Sequence, residues 1–177
     1  VPVEGFEAPW GLAQLVFYHD SARLAEPPRD TDALLAFAAA HPGRFTYPQP
    51  PNFLGTSFLK QLLLLLGADP ARLQRPVGAD FEQVTRPLWD WLDGAHPGMW
   101  RKGRLFPVSG PAQRRLLGDG EVDWALAFNP AEADRAIRRG ELPATIRATS
   151  FSGGVLTNSH FLAIPANSSA KAGAMVV

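Results

Sequence analysis

Residues 44–58, Arg-Phe-Thr-Tyr-Pro-Gln-Pro-Pro-Asn-Phe-Leu-Gly-Thr-Ser-Phe, gather side chains suited to holding a small molecule. Tyr47 and Phe53 can stack on a ring or a cation, or simply pack. Asn52 offers an amide oxygen, and Thr56 and Ser57 offer hydroxyls, where a helix start leaves backbone N–H groups unpaired and favours an anion. The same residue types cap helices for purely local reasons, so binding and capping both stay open for these three. Asn129 carries the same ambiguity. Asn129-Pro130-Ala131-Glu132 has the cap, first-position proline and third-position glutamate of a capping box, which would consume the N–H groups a ligand needs. A cationic ligand would need a carboxylate, and Asp20, Asp123 and Glu132 are the candidates.

Other residues bear on catalysis. Ser152, within Ser150-Phe-Ser-Gly-Gly154, has His160 nearby in sequence, and aspartates occur elsewhere, so the residue types of a serine hydrolase are present. The Gly-x-Ser-x-Gly elbow is missing, and Ser152 falls in a turn between strands rather than at a strand-to-helix turn. His41-Pro42-Gly43 and His96-Pro97-Gly98 read as helix ends, where an imidazole complements the dipole and Pro-Gly stops the helix. The four histidines occur singly, and none has the spacing of a helical zinc site. A protein that acts without catalysis, metal or cofactor is expected.

Composition narrows the class. The 177 residues suit one well-buried domain, and 46% are apolar, which argues against disorder. Formal net charge is zero, with 17 basic and 17 acidic residues. The pairs Arg114-Arg115 and Arg138-Arg139 lie in mixed helical segments, so neither a nucleic-acid surface nor a polybasic membrane patch is expected. Cysteine is absent, which removes disulfides, thiolate metal sites and cysteine nucleophiles. The apolar run 58–66 is far short of the ~20 residues that span a bilayer. Val1-Pro2-Val3-Glu4 does not resemble a signal peptide, and the final ten residues read as a helix without a stop signal. Both ends suggest a piece of a longer protein.

The elements that must position these residues alternate. Strands are predicted over 10–18, 45–47, 122–128, 145–150 and 155–164, the last two joined at Ser152-Gly153-Gly154. Helices are predicted over 33–40, 55–66, 81–92, 111–117 and 130–139, with another after Pro165. The pattern implies an α/β domain with a mixed, mainly parallel sheet flanked by helices.

Four stretches acquire a joint meaning once placed. They are Ala8-Pro-Trp-Gly11 with Leu15-Val-Phe-Tyr18 and Asp20; His41–Pro48 with Asn52–Ser57; Gly120–Ala125 with Phe128-Asn129; and Asn158–Pro165. Together they resemble the central portion of an extracellular solute-binding protein of an ABC importer, with the type II periplasmic-binding-protein fold, in the branch of thiamine-, polyamine- and iron(III)-binding components. The resemblance implies that residues 1–177 form one α/β lobe of a two-lobed protein, with hinge crossings near 10–20 and 155–165. It implies capture of a small polar solute between the lobes and delivery to a membrane permease, by a monomer in the periplasm or elsewhere outside the cytoplasm. Trp10 would lie near the first crossing, and Asn158 and His160 near the return. The solute would be a thiamine-like or polyamine-like cation, or an anion. Iron ligation does not carry over, because Tyr18 and Tyr47 are the only tyrosines and are not adjacent. The ligand-sensing lobe of a transcriptional regulator is the alternative; it would need a helix-turn-helix, and none is apparent in these residues.

Overall fold

A computed structural model describes residues 7–176. The chain starts with β1, Glu7–Gln14, and β2, Val16–Asp20. The single strand expected over 10–18 is therefore two, parted at Leu15, and the halves have different surroundings. β1 is almost wholly exposed, whereas every residue of β2 is buried. A strand buried along its whole length needs cover on both faces. Leu15 and Phe17 enter one core while Val16 and Tyr18 enter the other, the alternation that a pleat imposes.

Helices α1 (Thr31–Ala40), α2 (Phe53–Leu65), α3 (Pro70–Leu73) and α4 (Phe81–Ala95) follow. Two 3-10 turns, His96–Gly98 and Trp100–Gly103, lead to α5 (Gly110–Gly118), β3 (Trp124–Ala127) and α6 (Glu132–Arg138). Strands β4 (Ile146–Thr149) and β5 (Thr157–Ala163) and a short α7 (Lys171–Ala174) complete the order. Helices α1, α2 and α4 cover the face that bears Phe17 and Trp124, whose rings stack 4.3 Å apart. Helices α5 and α6 cover the other. There Ala125, Ala127, Ala133 and Ala136 are all buried, and their small side chains let α6 lie close to the sheet.

The class is α/β, as expected, but the mixed, mainly parallel pairing expected is corrected. The order is β3-β2-β4, and both ladders are antiparallel. A parallel contact survives only as an isolated bridge from Phe45 to Trp124 among the described residues. The late strands do not pair with each other: β4 joins β2, while β5 joins β1 in a separate two-stranded ribbon. The helix expected after Pro165 is limited to the four residues of α7.

Two buried glutamines explain why strands predicted from the sequence are shorter in the fold. Gln113 donates to the carbonyl of Thr46 (2.6 Å) and accepts from the N–H of Leu126 (3.1 Å). Its amide thus takes the place of ladder bonds between residues 45–47 and β3. Gln61 does the same between α2 and the segment before β5, donating to Gly154 O (3.2 Å) and accepting from Leu156 N (2.6 Å).

The two His-Pro-Gly tripeptides do end helices, and they meet. Gly43 N–H donates to Gly98 O at 2.8 Å. The ring of His96 sits 3.0 Å from the Tyr47 hydroxyl. Burial lowers the His96 pKa, with Asp93 opposing, and pushes that of Tyr47 up to about 12. Among the described residues no helix is long and apolar enough to cross a membrane.

Candidate functional site

Because β3 and β4 both run opposite to β2, their C-terminal ends lie together beside the start of β2. Strand ends of this kind form the ligand crevice of open α/β sheets. Two hollows open there. The first, about 320 Å³, is lined by Trp10 and its neighbours on β1, by Phe128, Asn129 and Pro130 after β3, and by His160 of β5. The second, about 330 Å³, is lined by Gln14, Arg29, Thr149 and Ser150 among others. Pro130 belongs to both.

The β1–β5 ribbon aims the first hollow's largest side chain. Its register steps from Pro9 opposite Phe161 to Gly11 opposite His160, which leaves Trp10 unmatched. A bulge residue turns out of the regular pleat, and Trp10 stands 72% exposed on the wall of the hollow. Asn158 pairs opposite Ala13 two residues before His160, so the two share a face of β5, yet only His160 lines the hollow.

Asn129 is exposed at this wall, and the capping box expected around it does not form. Helix α6 starts at Glu132, two residues later than the box requires, with Ala131 as a cap that lends no side-chain bond. Asn129 Oδ1 accepts from the N–H of Ala131 at 2.9 Å, a local turn. Glu132 turns instead to the guanidinium of Arg114. The Asn129 carbonyl is held from within by the Tyr18 hydroxyl, which also accepts from Ala133 N–H at 3.2 Å. Burial, reinforced by Glu132, raises the Tyr18 pKa far above the ordinary phenol value, so this hydroxyl stays a donor. Tyr18→Phe leaves the Ala133 N–H without its partner, while the Asn129 carbonyl keeps only the Glu132 N–H at 3.0 Å, and it is expected to cost about 1–3 kcal/mol in urea unfolding. An unchanged midpoint would show that the hydroxyl holds nothing.

The residues of the 44–58 stretch divide. Asn52 is half-buried and caps α2, accepting from Leu54 N–H at 3.0 Å. Phe53 is exposed and packs on Phe128 at 4.8 Å, which carries the start of α2 to the rim of the first hollow. Thr56 is half-buried on α2. Ser57 and Tyr47 are buried, and Tyr47 packs among Phe58, His96 and Phe106 in the core rather than on a binding wall. Trp10 and Asn129 are thus brought together with His160, Asn52 reaches the edge through Phe53, and Tyr47 does not belong to the group.

All three candidate carboxylates are engaged. Asp20 accepts from Ala22 N–H (3.0 Å) and lies 3.6 Å from Arg23. Burial would raise its pKa, but hydrogen bonds from Thr145 and Ala22 and the charge of Arg23 outweigh that and lower it. Asp123 accepts from Arg44 Nε at 2.8 Å, and Glu132 is paired with Arg114. Ser152 is exposed and its N–H donates to Arg29 O (2.8 Å); it does not line the hollow that holds His160. The groups that sequence reasoning missed, Gln14, Arg29 and the adjacent pair Thr149-Ser150, come from separate parts of the chain and bear no local pattern. Only the meeting of β1, β2 and β4 unites them.

Residues 3–176 match the profile of the family described as bacterial extracellular solute-binding protein. The chain is 48% identical over 178 residues to protein YnjB of Escherichia coli (strain K12), covering 100% of this chain and 46% of that protein. Two solved structures share the fold at 14% identity. One is the Tp0655 (TpPotD) lipoprotein of Treponema pallidum, with a TM-score of 0.61 over 97% of this chain and 48% of that one. The other is the periplasmic binding protein AfuA from Actinobacillus pleuropneumoniae, with exogenous fructose-6-phosphate bound, with a TM-score of 0.56 over 92% and 46% respectively. The chain spans about half the length of each of these relatives.

Proposed function

The chain belongs to the bacterial extracellular solute-binding protein family, and we propose that it forms one lobe, with hinge segments, of an ABC importer's solute-binding component. The observation that carries this reading is the convergence of the β3 and β4 ends on hollows walled by an exposed two-stranded ribbon. β1 and β5 pair side by side, which supports reading them as the two crossings of a hinge between lobes. Trp10, Asn129 and the amide cap Asn52 stand at or near this wall. Thr56 and Asn158 do not line either hollow.

The mechanism is a population shift and needs no chemistry. A solute that touches both lobes favours the closed form by its extra contact there, and the closed form is what a membrane permease recognises. One lobe supplies only part of that contact, so binding belongs to the full-length protein. The protein acts as a monomer outside the cytoplasm. Between a thiamine-like or polyamine-like cation and an anion, the pairing of Asp20, Asp123 and Glu132 favours the anion.

Thermal unfolding of the full-length protein tests this with thiamine, polyamines, amino acids, sugars and oxyanions. A solute at 100 times its dissociation constant is expected to add ~2.7 kcal/mol of stability. Failure of every class to raise the melting temperature would overturn the reading.

A further inference from the structure

We propose that the solute is a planar ring bearing an acidic group, with the ring against Trp10 and the acid beside Arg29. This rests on the solute-binding reading above and names the chemistry of the same crevice.

The first hollow suits the ring. The bulge at Trp10 exposes an indole on its wall, at 72% exposure. Phe128 lines the same space and is backed by Phe53 at 4.8 Å. Asn129 and His160 supply the polar edge, which can bond ring nitrogens or oxygens. Neither an acidic residue nor a lysine or arginine is among the residues lining this hollow. Aromatic faces with a few polar groups and no fixed charge suit a ring better than a flexible amine or a phosphate.

The second hollow, across Pro130, suits the acid. Arg29, Gln14, Thr149 and Ser150 line it, all hydrogen-bond donors, and no carboxylate lines it. Arg29 makes no ion pair among the described residues, so no carboxylate of those residues competes for it, and it is the arginine that lines this hollow. The Thr149 hydroxyl is buried and lacks a hydrogen-bond partner. An arginine held by no carboxylate is what a carboxylate or phosphate would pair with, and the buried Thr149 hydroxyl lies behind the surface that such a group would touch. Pro130 lines both hollows, so they are neighbours, and the ring is placed on one side of it and the acid on the other.

The test is calorimetric titration of the full-length protein with ring acids (nicotinate, indole-3-acetate, 4-hydroxybenzoate), and with nicotinamide, succinate and spermidine. A ring acid is expected to bind, with nicotinamide and succinate about tenfold weaker or worse and spermidine weaker still. Trp10→Ala is expected to weaken the ring acid about tenfold, in line with the loss of one stacking platform, and Trp10→Phe to keep most of the affinity. Arg29→Gln is expected to bring the ring acid down to the level of nicotinamide. Trp10 and Arg29 are both exposed, so the unliganded variants are expected to melt with the wild type. Binding of spermidine or succinate as tightly as any ring acid, or indifference of ring-acid binding to Trp10→Ala, overturns the proposal and leaves a solute-binding protein of another specificity. Binding of only non-aromatic solutes from the wider panel overturns it in the same way. If no solute of any class binds, the solute-binding reading fails as well.

Discussion

Gly55→Ala is expected to destabilise the protein by about 3 kcal/mol or more, the upper range for forcing atoms into a packed interior. The sign is the reverse of what the helix alone would give. In a helix interior, alanine is favoured over glycine by about 1 kcal/mol. At Gly55, however, a Cβ would lie 1.8 Å from the carbonyl oxygen of Pro48 and 2.8 Å from its carbon. Both are backbone atoms, so no side-chain rotation relieves the clash. Either the start of α2 lifts or the proline loop moves, and each displaces Asn52 and Phe53 from the rim of the crevice. Urea unfolding checks the stability, with Gly173→Ala as control, since a Cβ in α7 meets nothing within 4 Å. If Gly55→Ala unfolds at the wild-type midpoint, the close approach of α2 to the loop is not a real constraint. In the full-length protein the same substitution is expected to weaken solute binding, because it moves the wall as well as the core.

Much of the fold was legible because its signals are local. Asp30 caps α1 by accepting from Ala33 N–H at 2.7 Å, and Pro111 in the first turn of α5 marks that helix start. The apolar spacing in 81–92 gave α4, whose buried positions include Leu88, Trp91 and Leu92. What was not legible depended on partners distant in sequence. Leu15 breaks the first strand because one half must join β5 and the other must enter the sheet, and nothing in nine consecutive residues says so. The segment around Thr46 has strand composition but takes its bonds from Gln113, 67 positions away. Asn129-Pro-Ala-Glu has every residue of a capping box, yet Arg114 competes for Glu132 and Tyr18 for the Asn129 carbonyl.

The site shows the same division. Residue type put Asn129 among the candidates and the family resemblance put Trp10 there, and both line one hollow. Type alone also put Tyr47 there, although the ring that could have stacked on a solute packs among Phe58, His96 and Phe106. Arg29 has no motif and stands between a proline and a capping aspartate. Its place beside Thr149 follows only from β4 lying next to β2. Carboxylates offered for a cation were likewise indistinguishable in sequence from carboxylates that pin Arg23, Arg44 and Arg114. Pairing, a tertiary fact, decides which charges remain for a ligand.

Gln113→Leu is the second substitution expected to act strongly, at about 2–6 kcal/mol. Leucine fills nearly the same space and is apolar, so a view based on burial alone would expect little change or a gain. Gln113, however, is fully buried, and its amide is a partner of two buried backbone groups, Thr46 O and Leu126 N. Removing one partner of a buried bond leaves the other unsatisfied at about 1–3 kcal/mol, and here two are left at once. Gln113→Glu is expected to do no better, because the donor to Thr46 O is lost and a carboxylate oxygen is set against a carbonyl oxygen. The damage is directed. Residues 45–47 are otherwise tied to β3 by the Phe45–Trp124 bridge and by Asp123 N–H to Arg44 O (2.8 Å). Loosening them frees the proline loop and with it the start of α2. Hydrogen exchange of the variant is therefore expected to rise first in residues 45–58 and in β3, while the β1–β5 ribbon exchanges as before. Equal acceleration everywhere, or a midpoint in urea unchanged from wild type, would mean that Gln113 is a passive filler and that the sheet holds residues 45–47 without it.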